Sequence, residues 1–129
     1  YHWKDAVGEK RTPFFDKAWR VEDPNTFGTD EYVNMCRKLG CEPYICTNAG
    51  TGTAEEMSDW VEYCNLENEG QYARWRIANG YEKPHRVKYW SVGNENYGAG
   101  VGTPCGGGFQ DDQARGPGDG ADSGCSHGS

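Results

Sequence analysis

The fold is decided by residues 29–64, TDEYVNMCRKLGCEPYICTNAGTGTAEEMSDWVEYC, in which a helix, a strand and a second helix follow one another. The first helix is indicated by apolar side chains at the spacing i, i+3, i+4 and i+7, at Tyr32, Met35, Cys36 and Leu39. Thr29 can cap the start of this helix, and Gly40 follows its end. The pattern therefore predicts an amphipathic helix that buries one face.

A strand and a second helix come next along the chain. Residues 43–47, PYICT, are short, apolar and β-prone, and they end in the turn-forming residues 48–52, NAGTG. A capping box at residues 53–56, TAEE, opens the second helix. Its apolar stripe repeats the spacing of the first, at Met57, Trp60, Val61 and Cys64.

The flanking residues extend this alternation of helices and strands. Residues 1–28 are predicted to be mixed loop, and a polar connection through Pro84 leads to a second strand at residues 87–92. Strands joined through a helix are normally parallel neighbours, and a parallel sheet needs both faces covered. Two such strands are not a complete fold, so residues 1–98 are predicted to be an interior part of a larger α/β domain.

The last 31 residues, 99–129, differ from the rest in composition. They hold 10 of the 19 glycines, only Val101 among Val, Leu, Ile and Met, and only Phe109 among the aromatic residues. Burial of so few apolar side chains cannot offset the entropy of ordering the backbone. Residues 99–129 are therefore predicted to be a disordered, low-complexity tail.

Charge and hydropathy argue against two classes of partner. The formal net charge is −7, and no run of Lys or Arg is long enough to hold phosphate backbones, so nucleic-acid binding is disfavoured. No stretch approaches the roughly 20 apolar residues of a membrane span. The chain opens at Tyr1 without an initiator Met or a signal-peptide pattern, so a true N-terminus, with any targeting segment, is expected upstream.

The six cysteines permit a disulfide framework, buried free thiols or a metal site. Cys36 and Cys64 occupy apolar positions of the two predicted helices, and Cys41 and Cys46 flank the strand between them, which favours thiols used as small core residues. The C-x4-C-x4-C spacing of Cys36, Cys41 and Cys46 differs from the paired C-x2-C of most zinc sites, and His85 has no partner at ligand spacing. Buried thiols are the favoured interpretation, with disulfides and metal as alternatives.

Function is expected at the end of the strand at residues 87–92, because the loops that follow parallel strands converge on one face of an α/β fold. Gly93 lets the backbone turn sharply there. Glu95 then offers a carboxyl group suited to general acid catalysis, and the amide of Asn94 can donate to a substrate hydroxyl. A surface glutamate in a polar turn is the alternative that these residues alone leave open.

Several segments together carry a family resemblance: residues 90–98, WSVGNENYG, residues 1–5, YHWKD, residues 27–32, FGTDEY, and the pair Ala18-Trp19. With these segments the chain closely resembles, from residue 1 to about residue 98, the α-L-arabinofuranosidases of glycoside hydrolase family 51. Asn-Glu at a strand end is shared by a whole clan of glycosidases. Its agreement with the Tyr-x-Trp-x-Asp opening makes the resemblance specific.

The resemblance implies a partial (β/α)8 TIM barrel, from the loop after the second strand to just past the fourth, followed by the disordered Gly-rich tail. It implies that Glu95 is the general acid/base of a retaining double displacement, that Asn94 hydrogen-bonds the 2-hydroxyl of the sugar, and that Trp19 lines the entrance to the site. For Trp19, a loop aromatic that covers the core is the alternative. Asn48, at the end of the preceding strand, is expected to orient its loop.

The implied substrate is an arabinofuranosyl-containing oligo- or polysaccharide, of the arabinan or arabinoxylan type, from which terminal units are released. The resemblance implies no metal or organic cofactor. It implies a cytoplasmic location and a full-length parent that forms homo-oligomers. The second carboxyl of the mechanism, in the family a glutamate at the end of the seventh strand, is expected beyond Ser129. Four glutamates on predicted helices are not credible substitutes: Glu31, Glu55, Glu56 and Glu62.

The sequence departs from the family pattern at several points. Glu9 follows Gly8 where the family usually has Pro, and Thr12 interrupts an expected Arg-Pro. The resemblance ends near residue 98, which suggests a reading-frame shift or a misassigned gene end near Ala99. The alternative functions are a non-catalytic truncated product and a different clan glycosidase, such as a xylanase or galactosidase. Those enzymes generally have Pro after Asn-Glu, whereas Asn96 stands here.

Overall fold

The predicted order of helix, strand, helix and strand is present in the structure, a computed structural model that describes residues 1–95. In chain order the elements are a 3-10 helix (Trp3–Ala6), β1 (Phe14–Asp16), β2 (Val21–Asp23), α1 (Thr29–Leu39), β3 (Tyr44–Cys46), α2 (Ala54–Asn65), α3 (Gln71–Ala78) and β4 (Tyr89–Ser91). Both predicted helices and both predicted strands are confirmed, the strands being shorter than expected. The predicted tail, and its boundary at residue 98, lie outside the described residues.

A two-stranded parallel sheet joins β3 to β4. Ile45 lies opposite Trp90, and Tyr44 lies opposite Tyr89. Because side chains alternate along a strand, Ile45 and Trp90 share one face, where they contact the hydrophobic core, and the two tyrosines share the other. Tyr44 is 54% exposed and Tyr89 is 55% exposed, so residues 1–95 cover only one face of this sheet. The predicted parallel pairing is confirmed, and these residues form an α/β unit without a closed barrel.

The start of α1 corrects one prediction. Gly28, not Thr29, is the capping residue, and its N–H donates to the Glu31 carboxylate at 2.9 Å. A side chain at Gly28 would place its Cβ 1.8 Å from the Ala6 carbonyl oxygen, so only glycine fits this close approach. Thr29 instead turns inward, and its hydroxyl accepts a 2.9 Å hydrogen bond from the indole N–H of Trp60.

The predicted apolar stripes match the buried faces of both helices only in part. Cys36 on α1, and Trp60 and Cys64 on α2, are buried as predicted. Met35, Leu39 and Val61 are exposed, by 41%, 70% and 39%. The side chains that are buried instead include Asp30 and Val33 on α1, and Tyr63 on α2. An apolar stripe shows which residues can be buried, but a polar residue such as Asp30 can take an inward position when it finds hydrogen-bond partners.

Two parts of the chain predicted to be irregular contain regular structure. β1 and β2 form an antiparallel hairpin within residues 1–28, and α3 lies in the connection that leads to β4. Arg76 on α3 is fully buried and donates to five backbone carbonyls, those of Tyr63, Leu66, Glu67, Tyr81 and Glu82, at 2.5 to 3.3 Å. The helix is therefore held by a buried cation, which apolar periodicity does not reveal.

Aromatic side chains dominate the core. Trp3, in the 3-10 helix, is 1% exposed and stacks on Trp60 with ring centroids 6.0 Å apart and planes 10° apart. The Trp3 indole N–H donates to the Glu56 carbonyl at 3.0 Å. Buried members of the core cluster are Trp3, Val7, Val33, Ile45, Trp60, Tyr63, Cys64 and Val87. The N-terminal segment is thereby packed against α2.

The cysteines divide into buried and accessible thiols. Cys36 and Cys64 are buried, as predicted. Desolvation raises the pKa of the Cys64 thiol far above its ordinary value. Cys46 is half-buried, and Cys41 is exposed, so the expectation of a core thiol is wrong for Cys41. Cys41 lies just after the end of α1, in the connection to β3, and its side chain is at the surface. All four thiols are free.

Candidate active site

The residues that the sequence assigns to catalysis lie in the turn after β4. The strand ends at Ser91, and the backbone bends through Gly93, whose φ is 83°. Asn94 and Glu95 follow, and both are exposed. Glu95 has a φ of 52°, in the left-handed region that non-glycine residues adopt rarely and at a cost. The structure thus places an amide and a carboxylate side by side at the carboxyl end of a parallel strand.

A side chain from the neighbouring strand fixes this turn. Thr47, directly after β3, is buried, and its hydroxyl donates to the Ser91 carbonyl at 3.0 Å and accepts from the Gly93 N–H at 3.3 Å. The Thr47 N–H also donates to the Ser91 carbonyl, at 2.9 Å. The carboxyl ends of β3 and β4 are therefore tied together just before Asn94. Sequence reasoning missed this role, for which the available signal was a hydroxyl residue at the end of a predicted strand.

Asn48 holds the loop that follows β3. Its side-chain oxygen accepts from the N–H groups of Gly50 and Thr51, at 3.1 and 3.0 Å. Its side-chain N–H group donates to the Tyr1 carbonyl at 2.9 Å and to the Thr51 hydroxyl at 2.8 Å. These contacts give Asn48 the loop-orienting role expected from the sequence, and they join the start of the chain to the end of β3.

Trp19 lies on a separate element, the turn of the β1–β2 hairpin. The Asp16 carboxylate shapes this turn by accepting from the N–H groups of Ala18 at 2.9 Å and Trp19 at 3.0 Å. Trp19 is 76% exposed, so it does not cover the core of residues 1–95. The alternative considered for it, a core-covering aromatic, is therefore wrong within this part of the chain.

The other candidate carboxylates lie on helices, as predicted. The Glu31 carboxylate accepts from two nitrogens of the Arg11 guanidinium, at 2.8 and 3.2 Å. Burial by itself would raise the pKa of Glu31, but the hydrogen bonds from Arg11 and from the Gly28 N–H outweigh it and hold that pKa below its usual range. The Glu56 carboxylate lies 2.9 Å from Nδ1 of His2. Both groups are thus engaged in structural contacts.

A buried polar network holds the segment that leads into β4. The Asp30 carboxylate, 1% exposed, lies 2.6 Å from Nε2 of His85 and accepts from the Tyr63 hydroxyl at 2.8 Å. Desolvation, reinforced by the nearby Asp30 charge, raises the pKa of Tyr63 well above its ordinary value, so its hydroxyl stays protonated. The Asn65 side chain then pairs with both the N–H and the carbonyl of Val87, at 2.8 and 2.9 Å. Sequence reasoning missed these roles of Asp30, His85 and Asn65.

Residues 1–95 contain neither a metal-binding cluster nor a membrane-spanning helix. In this range no group of three or more His, Cys, Asp or Glu side chains is arranged to hold a metal ion. The Cys36, Cys41 and Cys46 set that was considered for zinc therefore does not converge. None of the helices described is long and apolar enough to cross a membrane.

Comparison with known proteins gives consistent matches. The family model of the α-L-arabinofuranosidase 1 domain matches residues 1–103. The probable α-L-arabinofuranosidase C of Aspergillus niger is 51% identical over 100 residues, which cover 76% of this chain and 20% of that protein. The intracellular exo-α-L-arabinofuranosidase of Bacteroides ovatus is 44% identical over 104 residues, 78% of this chain and 20% of that protein. The crystal structure of the Thermotoga maritima α-L-arabinofuranosidase with arabinose aligns with a TM-score of 0.73 and 48% identity, over 76% of this chain and 21% of that one.

The matched segment is a small part of these relatives. The chain spans about a fifth of the length of the curated relatives it matches. The family match nevertheless includes the parallel sheet of β3 and β4 and the turn that carries Asn94 and Glu95. The chain therefore belongs to glycoside hydrolase family 51, a family of α-L-arabinofuranosidases.

Proposed function

We propose that residues 1–98 are part of the catalytic barrel of a retaining α-L-arabinofuranosidase, which releases terminal non-reducing α-L-arabinofuranosyl units from glycans of the arabinan or arabinoxylan type. The observation that carries this proposal is the position of Glu95. It stands just beyond a parallel strand, in a left-handed conformation, on a turn tied to Thr47. The names of the relatives support the substrate class.

The mechanism requires two carboxyl groups about 5 to 5.5 Å apart, on the two sides of the scissile bond. Glu95 donates its proton to the glycosidic oxygen while the other carboxylate attacks the anomeric carbon. Glu95 then removes a proton from the water that hydrolyses the glycosyl-enzyme. In the family the nucleophile is a glutamate at the end of the seventh strand, and the same is proposed for a full-length parent of this chain.

Two exposed side chains complete the part of the site that this segment supplies. Asn94 adjoins Glu95 and has an amide that can donate to the 2-hydroxyl of the sugar, where a hydrogen bond stabilises the transition state. Trp19 is proposed to line the entrance where the leaving group sits. Its 76% exposure leaves the indole ring available for contact with a sugar.

The placement of this segment as the second to fourth units of a (β/α)8 barrel is supported by the sheet. Helices cover the face that carries Ile45 and Trp90, whereas Tyr44 and Tyr89 are exposed on the other face. Parallel sheets are buried on both faces in nearly all proteins. In a barrel the second face points to the interior, which side chains from all strands fill.

A chimeric enzyme tests the role of Glu95. Residues 1–95 replace the matching segment of the Thermotoga maritima relative, and Glu95→Gln then removes the transferable proton at nearly constant size. For arabinosides with poor leaving groups, kcat/KM is expected to fall about 10²- to 10⁴-fold, the usual contribution of general acid catalysis. Activated aryl arabinosides need little protonation and should lose far less.

The matched control for this variant is Glu55→Gln, at an exposed glutamate on α2. It should leave kcat/KM unchanged for both kinds of substrate. Equal losses on poor and activated leaving groups in the Glu95→Gln chimera would contradict the acid role.

A second proposal concerns the polypeptide of these 129 residues by itself, which is expected to be non-catalytic. Among residues 1–95, Glu31 and Glu56 are engaged by Arg11 and His2, so neither is free to act as the nucleophile. The measurement is hydrolysis of an aryl α-L-arabinofuranoside, with circular dichroism and gel filtration on the same sample. Turnover at enzyme-like rates would contradict this proposal.

The remaining parts of the proposal rest on resemblance and composition. A homo-oligomeric full-length parent and a cytoplasmic location are proposed from the resemblance to the family. The name of the Bacteroides ovatus relative, an intracellular enzyme, supports the second. Residues 99–129 are proposed to be a separate low-complexity segment, because their glycine content and lack of apolar side chains disfavour a packed core. Sequencing of the gene would show whether another reading frame near Ala99 continues the family pattern.

A further inference from the structure

Two thiols lie at the turn that joins α1 to β3, and neither has a role in the proposed reaction. Cys36, in α1, is 3% exposed, whereas Cys41, five residues later, is exposed. Both are free thiols in the structure. An accessible thiol next to a buried one is an arrangement in which the first can react with a small molecule and the second can react only with the first.

The end of α1 brings these two residues together. Gly40 has a φ of 72°, and its N–H donates to the Arg37 carbonyl at 3.2 Å. The Cys41 N–H donates to the Cys36 carbonyl at 3.0 Å. These are the two hydrogen bonds of a Schellman motif, in which the side chains at the positions of Cys36 and Cys41 commonly pack against each other.

The Cys41 side chain folds back onto the backbone of Cys36. Its Sγ lies 3.6 Å from the Cys36 carbonyl oxygen, and desolvation together with the neighbouring Cys36 thiol raises the pKa of Cys41. A disulfide needs neighbouring Cα atoms and Cβ atoms that face each other. The Schellman motif brings the positions of Cys36 and Cys41 together, so we expect little backbone movement to be needed. By contrast, Cys46 lies in β3, beyond Pro43 and away from the turn.

We propose that Cys36 and Cys41 are a modification site that forms a reversible disulfide by exchange with a low-molecular-weight disulfide, such as oxidised glutathione. The Cys41 thiolate attacks one sulfur of that molecule, its S–S bond breaks, and one glutathione thiolate leaves. The Cys36 thiolate then attacks the Cys41 sulfur of the mixed disulfide and releases the second glutathione. The two protons lost by the cysteines are taken up by the two glutathione thiolates, so two thiols are oxidised and one disulfide is reduced.

The bond would fasten the end of α1 to the segment that enters β3. It would close a short ring over the turn at Gly40 without altering the residues of the candidate active site. Because its formation requires neither substrate nor turnover, its test is independent of the proposed glycosidase activity.

The chain contains its own control for the test. Cys36 and Cys41 are separated by four residues, as are Cys41 and Cys46, so the two rings cost nearly equal loop-closure entropy in an unfolded chain. The full 129-residue chain is incubated with oxidised glutathione, free thiols are blocked, and the disulfide-linked peptides are quantified by mass spectrometry. In buffer the 36–41 bond should exceed the 41–46 bond about tenfold, and in guanidinium chloride the two should be comparable. Comparable amounts in buffer, or an excess of Cys41 paired with any other thiol, would overturn the proposal.

A variant tests the order of the steps. Cys36→Ser removes the resolving thiol, so the chain should retain one glutathionyl group at Cys41. Cys46→Ser is the matched control and should still form the 36–41 bond. If glutathione in the Cys36→Ser chain is found at Cys46 rather than at Cys41, the accessible thiol has been misassigned and the proposal fails.

Discussion

Replacing Arg76 by Met should cost about 3–5 kcal/mol of the free energy of unfolding, because it removes hydrogen bonds from a buried charged donor, each worth about 1.5–3 kcal/mol, and leaves a buried carbonyl unpaired. Arg76 is fully buried, and its guanidinium donates to five backbone carbonyls around the end of α2 and the segment after α3. Met has similar length and is apolar, so the substitution removes the hydrogen bonds while it keeps most of the packing.

The magnitude depends on where the released carbonyls lie. Leu66, Glu67 and Glu82 are exposed, so their carbonyls can turn to water. The Tyr63 carbonyl belongs to a residue with no exposed surface, and an unpaired buried carbonyl costs about 1–3 kcal/mol. The rest of the expected loss in the free energy of unfolding comes from the hydrogen bonds that the charged guanidinium no longer donates. Since a domain of this size has only about 5–15 kcal/mol in total, Arg76→Met should remove a large share of the stability.

The assay is urea unfolding of the full chain followed by tryptophan fluorescence, because Trp3 and Trp60 are buried in the core. The midpoint should fall strongly with Arg76→Met, at an unchanged slope. The exposed Arg74 on the same helix gives the matched control, and Arg74→Met should change the free energy of unfolding by less than about 0.5 kcal/mol. Equal midpoints for Arg76→Met and Arg74→Met would refute this account of α3.

Two further predictions concern the entry into α1. Gly28→Ala should lower the free energy of unfolding by about 3 kcal/mol or more, because the new Cβ would lie 1.8 Å from the Ala6 carbonyl oxygen. The control is Gly40→Ala, at the other end of α1, where a Cβ would have nothing within 4 Å. This variant should cost only the roughly 1–2 kcal/mol of a left-handed backbone. Equal losses in urea unfolding would contradict the close approach. The lowered pKa of Glu31 stabilises the fold above the ordinary glutamate pKa of about 4.3, and this contribution is lost as the pH falls through the lower folded-state value. Arg11→Met should therefore flatten the acid side of a plot of urea midpoint against pH, and an unchanged acid side would contradict the pairing.

The elements that could be predicted from the sequence are those encoded by neighbouring residues. Local periodicity and end signals located both helices, and the order of elements gave the parallel pairing of β3 with β4. The buried faces of the helices could be predicted only in part. Cys36, Trp60 and Cys64 are buried as expected, whereas Asp30 is buried through contacts with residues 33 and 55 positions away. Helix α3 was not predicted, because Arg76 stabilises it through hydrogen bonds to carbonyls in other segments.

In the candidate site, too, the locally encoded features could be predicted and the long-range contacts could not. Glu95 and Asn94 could be singled out because a strand end followed by a turn is where α/β proteins place function. The Thr47 hydroxyl that fixes their turn lies on the neighbouring strand, 46 positions before Gly93, and could be recognised only once the strands were paired. Long-range hydrogen bonds of this kind depend on the tertiary fold, and the local pattern of a single sequence does not indicate them.

The most direct test of the central claim, that Glu95 is the general acid/base, is chemical rescue in the chimera described above. With Glu95→Ala, an activated aryl arabinofuranoside should still form the glycosyl-enzyme, but water should attack it slowly without a base. Azide has no proton to lose, so it should restore turnover and give an arabinofuranosyl azide of retained configuration. If azide does not restore turnover of a folded Glu95→Ala chimera whose unsubstituted form is active, the assignment of Glu95 is wrong.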